Sequence, residues 1–259
     1  MSEPIVVELT AEELIGCEAL FPPEIENDRW VLYHATSSVA EQQVDSEGLK
    51  WKSTTYSRSD IGQLVSIFQS MNWNGIHLAG MPVLVPFTQN GDFGSEDRKP
   101  IYFDIDGRAA APYYTTRDCA GGETARAVRY AMADLELYLE DESVRNQPPV
   151  DLDWLRDSIA ALSDLRKRCF DIQETYKYGI VYAVRFVPDD LESLTYHDSM
   201  GIRCFRELPA DRIVGKARLH AEDDVINQAD KQLDSLSRHN ELTEDLNGLL
   251  YHLDGGRLS

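Results

Sequence analysis

The chain has 259 residues, enough for one large domain or two small ones, and its 42% hydrophobic and 27% charged content is that of a folded, hydrated protein. A formal net charge of −20 argues against broad binding to nucleic acid and against anionic membrane surfaces, both of which need clustered Lys and Arg. No apolar run is long enough to cross a bilayer, Met1-Ser2-Glu3-Pro4 does not open a secretory leader, and Cys17, Cys119, Cys169 and Cys204 form no C-x-x-C pair; a cytoplasmic location with neither zinc site nor disulfide framework is expected.

Residues 1–29 read as a lead-in, with Thr10-Ala11-Glu12-Glu13 as a capping box opening a short helix and Pro22-Pro23 breaking it. Apolar residues from Trp30 to Tyr33 predict a strand that ends at His34-Ala35-Thr36-Ser37. Ser38 and Glu41 fit a second capping box, so a helix is expected to start there and to stop at Gly48. That arrangement would hold His34 beside fresh helix N–H groups, where an anionic ligand is stabilised. Ile61, Leu64, Val65, Ile67, Phe68 and Met71 recur at helical spacing over 59–72. Short strands are expected at Ile76 to Ala79 and Met81 to Phe87, then a Gly-rich loop over 88–99.

Pro100 to Ile105 predicts a strand closed by a turn at Gly107. Ala127, Val128, Ala131, Leu135, Tyr138 and Leu139 place a helix over 123–140. A second helix buries Trp154, Leu155, Ile159, Leu162, Leu165 and Phe170, with Asp151 or Asp153 as its cap. These two read as a helical insertion at about 121–176. Gly179 to Val187 is apolar on both faces and predicts a central strand, ended by Pro188. Ile202 to Phe205 and Ile213 to Leu219 are further strands. From 220 to 259 an acidic helical extension carries Val225, Ile226, Leu233, Leu236, Leu246, Leu249 and Leu250, and could fold back or dock a basic partner.

The ordered set Tyr33-His34-Ala35-Thr36 with Gly48-Leu49, Ile101-Tyr102-Phe103, Tyr113 after Ala109-Ala110-Ala111, Gly179 to Val187 with Pro188-Asp189-Asp190-Leu191, and Leu208-Pro209-Ala210-Asp211-Arg212-Ile213 resembles the His-Tyr-Glu class of ADP-ribosyltransferase (ART) domains, which includes the poly(ADP-ribose) polymerases. The resemblance spans roughly residues 30–219 and implies an α+β fold: an ART-like split, mixed/antiparallel β-sheet core with flanking helices. Ala35 replaces the family's glycine, whose backbone holds nicotinamide, and alanine serves there if its φ is negative. Gly75-Ile76-His77-Leu78 rivals the tyrosine strand, with His77 in place of Tyr102. Glu207 abuts Leu208-Pro209, whereas the family's glutamate precedes that segment by several residues. Three readings follow: Glu207 acts through a shifted strand, a residue such as Arg203 stands in for it, or catalysis is lost.

The resemblance implies NAD+ as substrate and no metal. His34 would bond the adenosine ribose with help from Thr36 or Ser37. Ala35 would pair with the carboxamide, Tyr102 and Tyr113 would sandwich the nicotinamide ring, and Glu207 would steady the cationic sugar. Arg58, Arg98, Lys99 and Arg108 flank the motifs and are candidate pyrophosphate partners. The implied activity is ADP-ribosyl transfer to a macromolecule, a protein acceptor being favoured over nucleic acid by the charge. The alternatives are an NAD+ glycohydrolase, or a catalytically silent module binding ADP-ribose-like ligands. An RNA 2′-phosphotransferase shares the fold but needs several basic residues, which the charge balance disfavours.

Overall fold

The computed structural model describes residues 3–50, 56–74, 76, 100–108, 114–145, 150–197 and 201–226. The chain divides into two units, one of Met1–Lys52, Pro100–Ala120 and Tyr176–Ser259, the other of Ser53–Lys99 and Gly121–Thr175.

The first unit is α+β. Strands β1 (Ile5–Thr10), β2 (Val31–Ser37), β4 (Gly179–Arg185) and β7 (Ile213–His220) make a mixed four-stranded sheet in the order β1-β7-β4-β2. Only the β1–β7 pairing is parallel. Strands β3 (Ile101–Phe103), β6 (Gly201–Cys204) and β5 (Leu194–His197) form a separate antiparallel sheet in that order. Among the described residues a single antiparallel bridge joins the two sheets, Tyr33 and Asp104 exchanging both backbone hydrogen bonds at 2.8 Å.

Side-chain alternation gives each face of the four-stranded sheet its own core. Tyr33, Ala35, Val181, Ala183, Ala217 and Leu219 pack with Leu14, Leu20, Phe21 and Ile25, which come from around α1 (Ala11–Gly16) and α2 (Pro23–Glu26). Leu32, Ile180, Tyr182 and Val184 pack instead with Val44, Ile101, Phe103, Ile202 and Cys204. Residues 1–29 are therefore structural: their apolar side chains cover one sheet face, and Ile5–Thr10 supplies an edge strand. Thr10 and Glu13 form the expected capping box, while Pro23 begins α2 at its first turn, where its missing N–H costs nothing.

The helix after β2, α3 (Glu41–Glu47), starts without the expected box. Its N-cap is Ala40, with no side-chain cap. Ser38 Oγ instead accepts from the Lys177 and Tyr178 backbone N–H groups, and Glu41 bonds to residues far along the chain. Gly48 does end this helix, at φ 81°, and a Cβ there would lie 2.1 Å from the Leu208 carbonyl oxygen. That close approach lets Leu49 pair with Leu208 in an antiparallel bridge.

The second unit is helical: α4 (Arg58–Trp73), α5 (Gly122–Glu140), α6 (Glu142–Arg145) and α7 (Leu152–Gln173). Its core joins Leu64, Phe68 and Met71 of α4 to Val128, Ala131 and Leu135 of α5 and to Leu155, Leu162 and Leu165 of α7. Asp60 caps α4 in a box with Ser57 and takes both guanidinium nitrogens of Arg168, at 2.6 and 3.0 Å. So α4 belongs with the later helix pair, and the helical part of the chain is wider than the expected 121–176. Asp151, not Asp153, caps α7. The strands expected over 77–87 and the extension beyond 226 lie outside the described residues. No described helix is long and apolar enough to cross a membrane.

Candidate functional site

His34 lies at the centre of β2, three residues before its end, and not at the mouth of a helix. The strand runs on because Ala35, Thr36 and Ser37 pair with Val181, Ile180 and Gly179 of the buried strand β4. The imidazole is partly buried, with its ring centroid 5.6 Å from that of Phe103. Its Nδ1–H donates to the carbonyl oxygen of Tyr102 at 2.8 Å. A carbonyl only accepts, so this bond selects the tautomer with a lone pair on Nε2. Desolvation pushes the pKa below the usual histidine value, against the opposing effect of the Tyr102 bond. At neutral pH the group is therefore an uncharged acceptor, suited to a ligand hydroxyl.

The neighbours of His34 divide by strand alternation. Thr36 shares its face, whereas Ala35 and Ser37 are buried on the other side. Of the two hydroxyls expected to assist, Thr36 stands on the histidine's side and Ser37 does not. The backbone of Ala35 has a different orientation from its neighbours'. Tyr33 directs its N–H and C=O at Asp104, while Ser38 bonds the β4 side through Tyr178. Alternation therefore turns the N–H and C=O of Ala35 away from β4, beyond the Asp104 bridge, where no described residue pairs with them. No described residue other than glycine has a positive φ, so Ala35 meets the conformational condition set for it.

Tyr102 sits in β3 between Ile101 and Phe103, which are buried in the core. Its own side chain is on the reverse face and partly exposed, opposite Arg203 of β6. Arg203 is in turn opposite Thr195 of β5. The Arg203 guanidinium carbon is 5.7 Å from the centroid of the Phe205 ring. This row could be read only in part from the sequence: the inward Ile202 and Cys204 imply an outward Arg203, but nothing local gives the register that sets it against Tyr102.

Glu207 is elsewhere. It is bonded to Lys50 at 3.0 Å, both side chains about a third exposed, beside the Leu49–Leu208 bridge. An exposed pair of this kind contributes about 0–1 kcal/mol. The residue facing Tyr102 across the strands is Arg203, not Glu207. Tyr113, Ala109 to Ala111, His77, Arg98 and Lys99 lie outside the described residues, as does the side chain of Arg58. Arg108 is partly exposed, its backbone N–H bonded to Asp106.

A second polar cluster occupies the His34 face of the four-stranded sheet. His34, Tyr182 and Lys216 form one cross-strand row. Lys216 is buried and bonds Glu41 at 2.8 Å and Asp45 at 2.5 Å, and Tyr182 donates to Asp45. Arg218 bonds Glu41 and Glu8. Burial alone would raise the Glu41 pKa, but hydrogen bonds from Lys216, Tyr178 and Arg218 outweigh it and bring it to about 2.

Among the described residues no group of three His, Cys, Asp or Glu side chains could hold a metal ion. Comparison of the chain with family models, with curated proteins and with solved structures finds no match.

Proposed function

We propose that the chain is an NAD+-dependent ADP-ribosyltransferase with an ART-like core, cleaving the nicotinamide–ribose bond and passing ADP-ribose to a macromolecular acceptor, a protein by preference. One observation carries the reading: a histidine whose Nδ1–H is held by the Tyr102 carbonyl, leaving the lone pair on Nε2, stands next to a residue whose backbone N–H and C=O point away from β4, where no described strand pairs with them. A carboxamide needs one acceptor and one donor side by side, which Ala35 offers. A ribose hydroxyl needs an acceptor, which Nε2 of His34 offers. The Gly48-Leu49 and Leu208-Pro209 segments, far apart in sequence, meet in a backbone bridge, which supports reading the motifs as one set.

In this chemistry nicotinamide leaves as a neutral molecule, so no strong acid is required. What the protein must do is hold the dinucleotide and stabilise positive charge on the sugar. On this reading Tyr102 stacks on the ring and Thr36 assists His34, and Glu207 serves the sugar only on leaving its pair with Lys50. The test is incubation with NAD+ while following nicotinamide release and labelled acceptors, with His34→Ala as control. Release that depends on His34 supports the proposal; a chain that neither binds nor cleaves NAD+ overturns it. Free ADP-ribose without any labelled macromolecule would make the enzyme a glycohydrolase.

A specific observation also favours a second reading, the silent binding module. The position facing Tyr102 holds a cation, and Glu207 is engaged with Lys50. NAD+ binding without turnover, unchanged in Glu207→Gln, distinguishes it from the first.

A further inference from the structure

Two successive residues of β3 grip the imidazole of His34. The Tyr102 carbonyl takes its Nδ1–H at 2.8 Å, and the Phe103 ring lies 5.6 Å from it, centroid to centroid, tilted by 53°. That separation is within the range of favourable aromatic contact. The next residue, Asp104, bridges to Tyr33 through both backbone hydrogen bonds, so β3 is fixed against the strand that carries the histidine. Phe103 is itself held: it is buried, and Phe186 stands edge-on to it at 5.1 Å and 87°. A histidine needs such holding, because the torsion that turns its ring is broad rather than confined to staggered wells. One hydrogen bond sets which nitrogen carries the proton but lets the plane swing about the Nδ1···O line. A packed ring beside the imidazole removes that freedom.

We infer that Phe103 is a positioning residue, its ring fixing the plane of the His34 imidazole so that the Nε2 lone pair keeps one direction. The ligand half of the inference rests on the proposed function: the group met by Nε2 is a ribose hydroxyl of NAD+, and an acceptor aimed before the ligand arrives loses less freedom on binding. Phe103 does not touch the ligand in this account; it acts through His34. Volume at position 103 is therefore not sufficient. A side chain of similar size without a flat, rigid face fills the core and leaves the imidazole to tilt. Freedom of this kind weakens a directional hydrogen bond by about tenfold in affinity.

The experiment is nitrogen and proton NMR of the imidazole groups in the full chain, with NAD+ affinity measured by calorimetry on the same samples. His34→Ala assigns the resonances among the six histidines. In the native chain His34 should show a single tautomer, protonated on Nδ1, with a slowly exchanging Nδ1 proton. Phe103→Leu should speed that exchange by about tenfold, draw the two nitrogen shifts together and weaken NAD+ binding by about tenfold. Phe103→Met, which conserves volume, should do the same and carries the test if Phe103→Leu fails to fold. Leu194→Ala truncates the same core two strands away from β3; it should lower the melting temperature and leave the His34 resonances and NAD+ affinity as they are. His34 resonances unmoved by Phe103→Met, moved as far by Leu194→Ala, or moved without loss of NAD+ affinity overturn this inference alone. A native chain that binds no NAD+ overturns the proposed function, and the resonances then decide the role of Phe103 by themselves.

Discussion

Two polar rows cross the strands of the first unit, and their neighbours differ. In the four-stranded sheet, His34, Tyr182 and Lys216 stand abreast, and the lysine is neutralised by Glu41 and Asp45 from the helix that covers it. In the three-stranded sheet, Tyr102, Arg203 and Thr195 stand abreast, and the arginine's strand neighbours are hydroxyls. A buried cation bonded to two carboxylates is satisfied and holds α3 to the sheet. Both rows are polar in sequence; cross-strand register decides which residues stand beside each cation.

The largest effect expected is on the scaffold row. Lys216→Ala removes the buried cation shared by Glu41 and Asp45, which keep Arg218 and Tyr182 as partners, and should cost about 2 kcal/mol in urea denaturation, less than the full loss of a buried pair. A loss under about 1 kcal/mol would show that the row is not structural. On the transferase reading His34→Ala should divide the measurements: NAD+ binding and turnover fall by about a hundredfold, while unfolding free energy falls by about 1 kcal/mol, the value of one hydrogen bond. A variant that turns over normally would remove His34 from the site.

Acid should weaken the scaffold row through Glu41. Its folded pKa lies near 2 against an ordinary 4.5, so its contribution is full above pH 4.5 and is lost as pH falls through about 2. Glu41→Gln should flatten the acid limb of a stability-versus-pH curve over that window; an unchanged acid limb would contradict the assigned ion pairs. The smallest effect is at Glu207, whose exposed pair with Lys50 leaves Glu207→Gln within about 0.5 kcal/mol of native stability. On the transferase reading its turnover nevertheless falls, measured as nicotinamide release at saturating NAD+.

Much of the fold was legible because the forces that set it are local or periodic. The apolar run of Gly179 to Val187 identifies a central strand, and β4 is buried along nearly its whole length. Helical spacing locates α4, α5 and α7. Of the candidate site, His34 and Tyr102 were named from the sequence and are joined by a hydrogen bond. The Ser38–Glu41 capping box is the instructive error. The spacing is right, but two cations of β7 and the Tyr178 phenol compete for Glu41, and charge-assisted bonds outweigh a neutral cap. Arg203 is named from the sequence as a stand-in for the glutamate, but the register that sets it against Tyr102 is not legible there.

By itself, then, the sequence determined what neighbours within four or five residues can decide: the Thr10–Glu13 box, the glycine that ends α3, the alternation that makes each strand two-faced. Only the tertiary structure decided which side chains meet across the sheets. Glu41 reaches Lys216 across 175 residues of sequence, and His34 reaches Tyr102 across 68. Such meetings depend on strand register and sheet order, which are set by the collective burial of two cores and leave no mark in the spacing of any one segment.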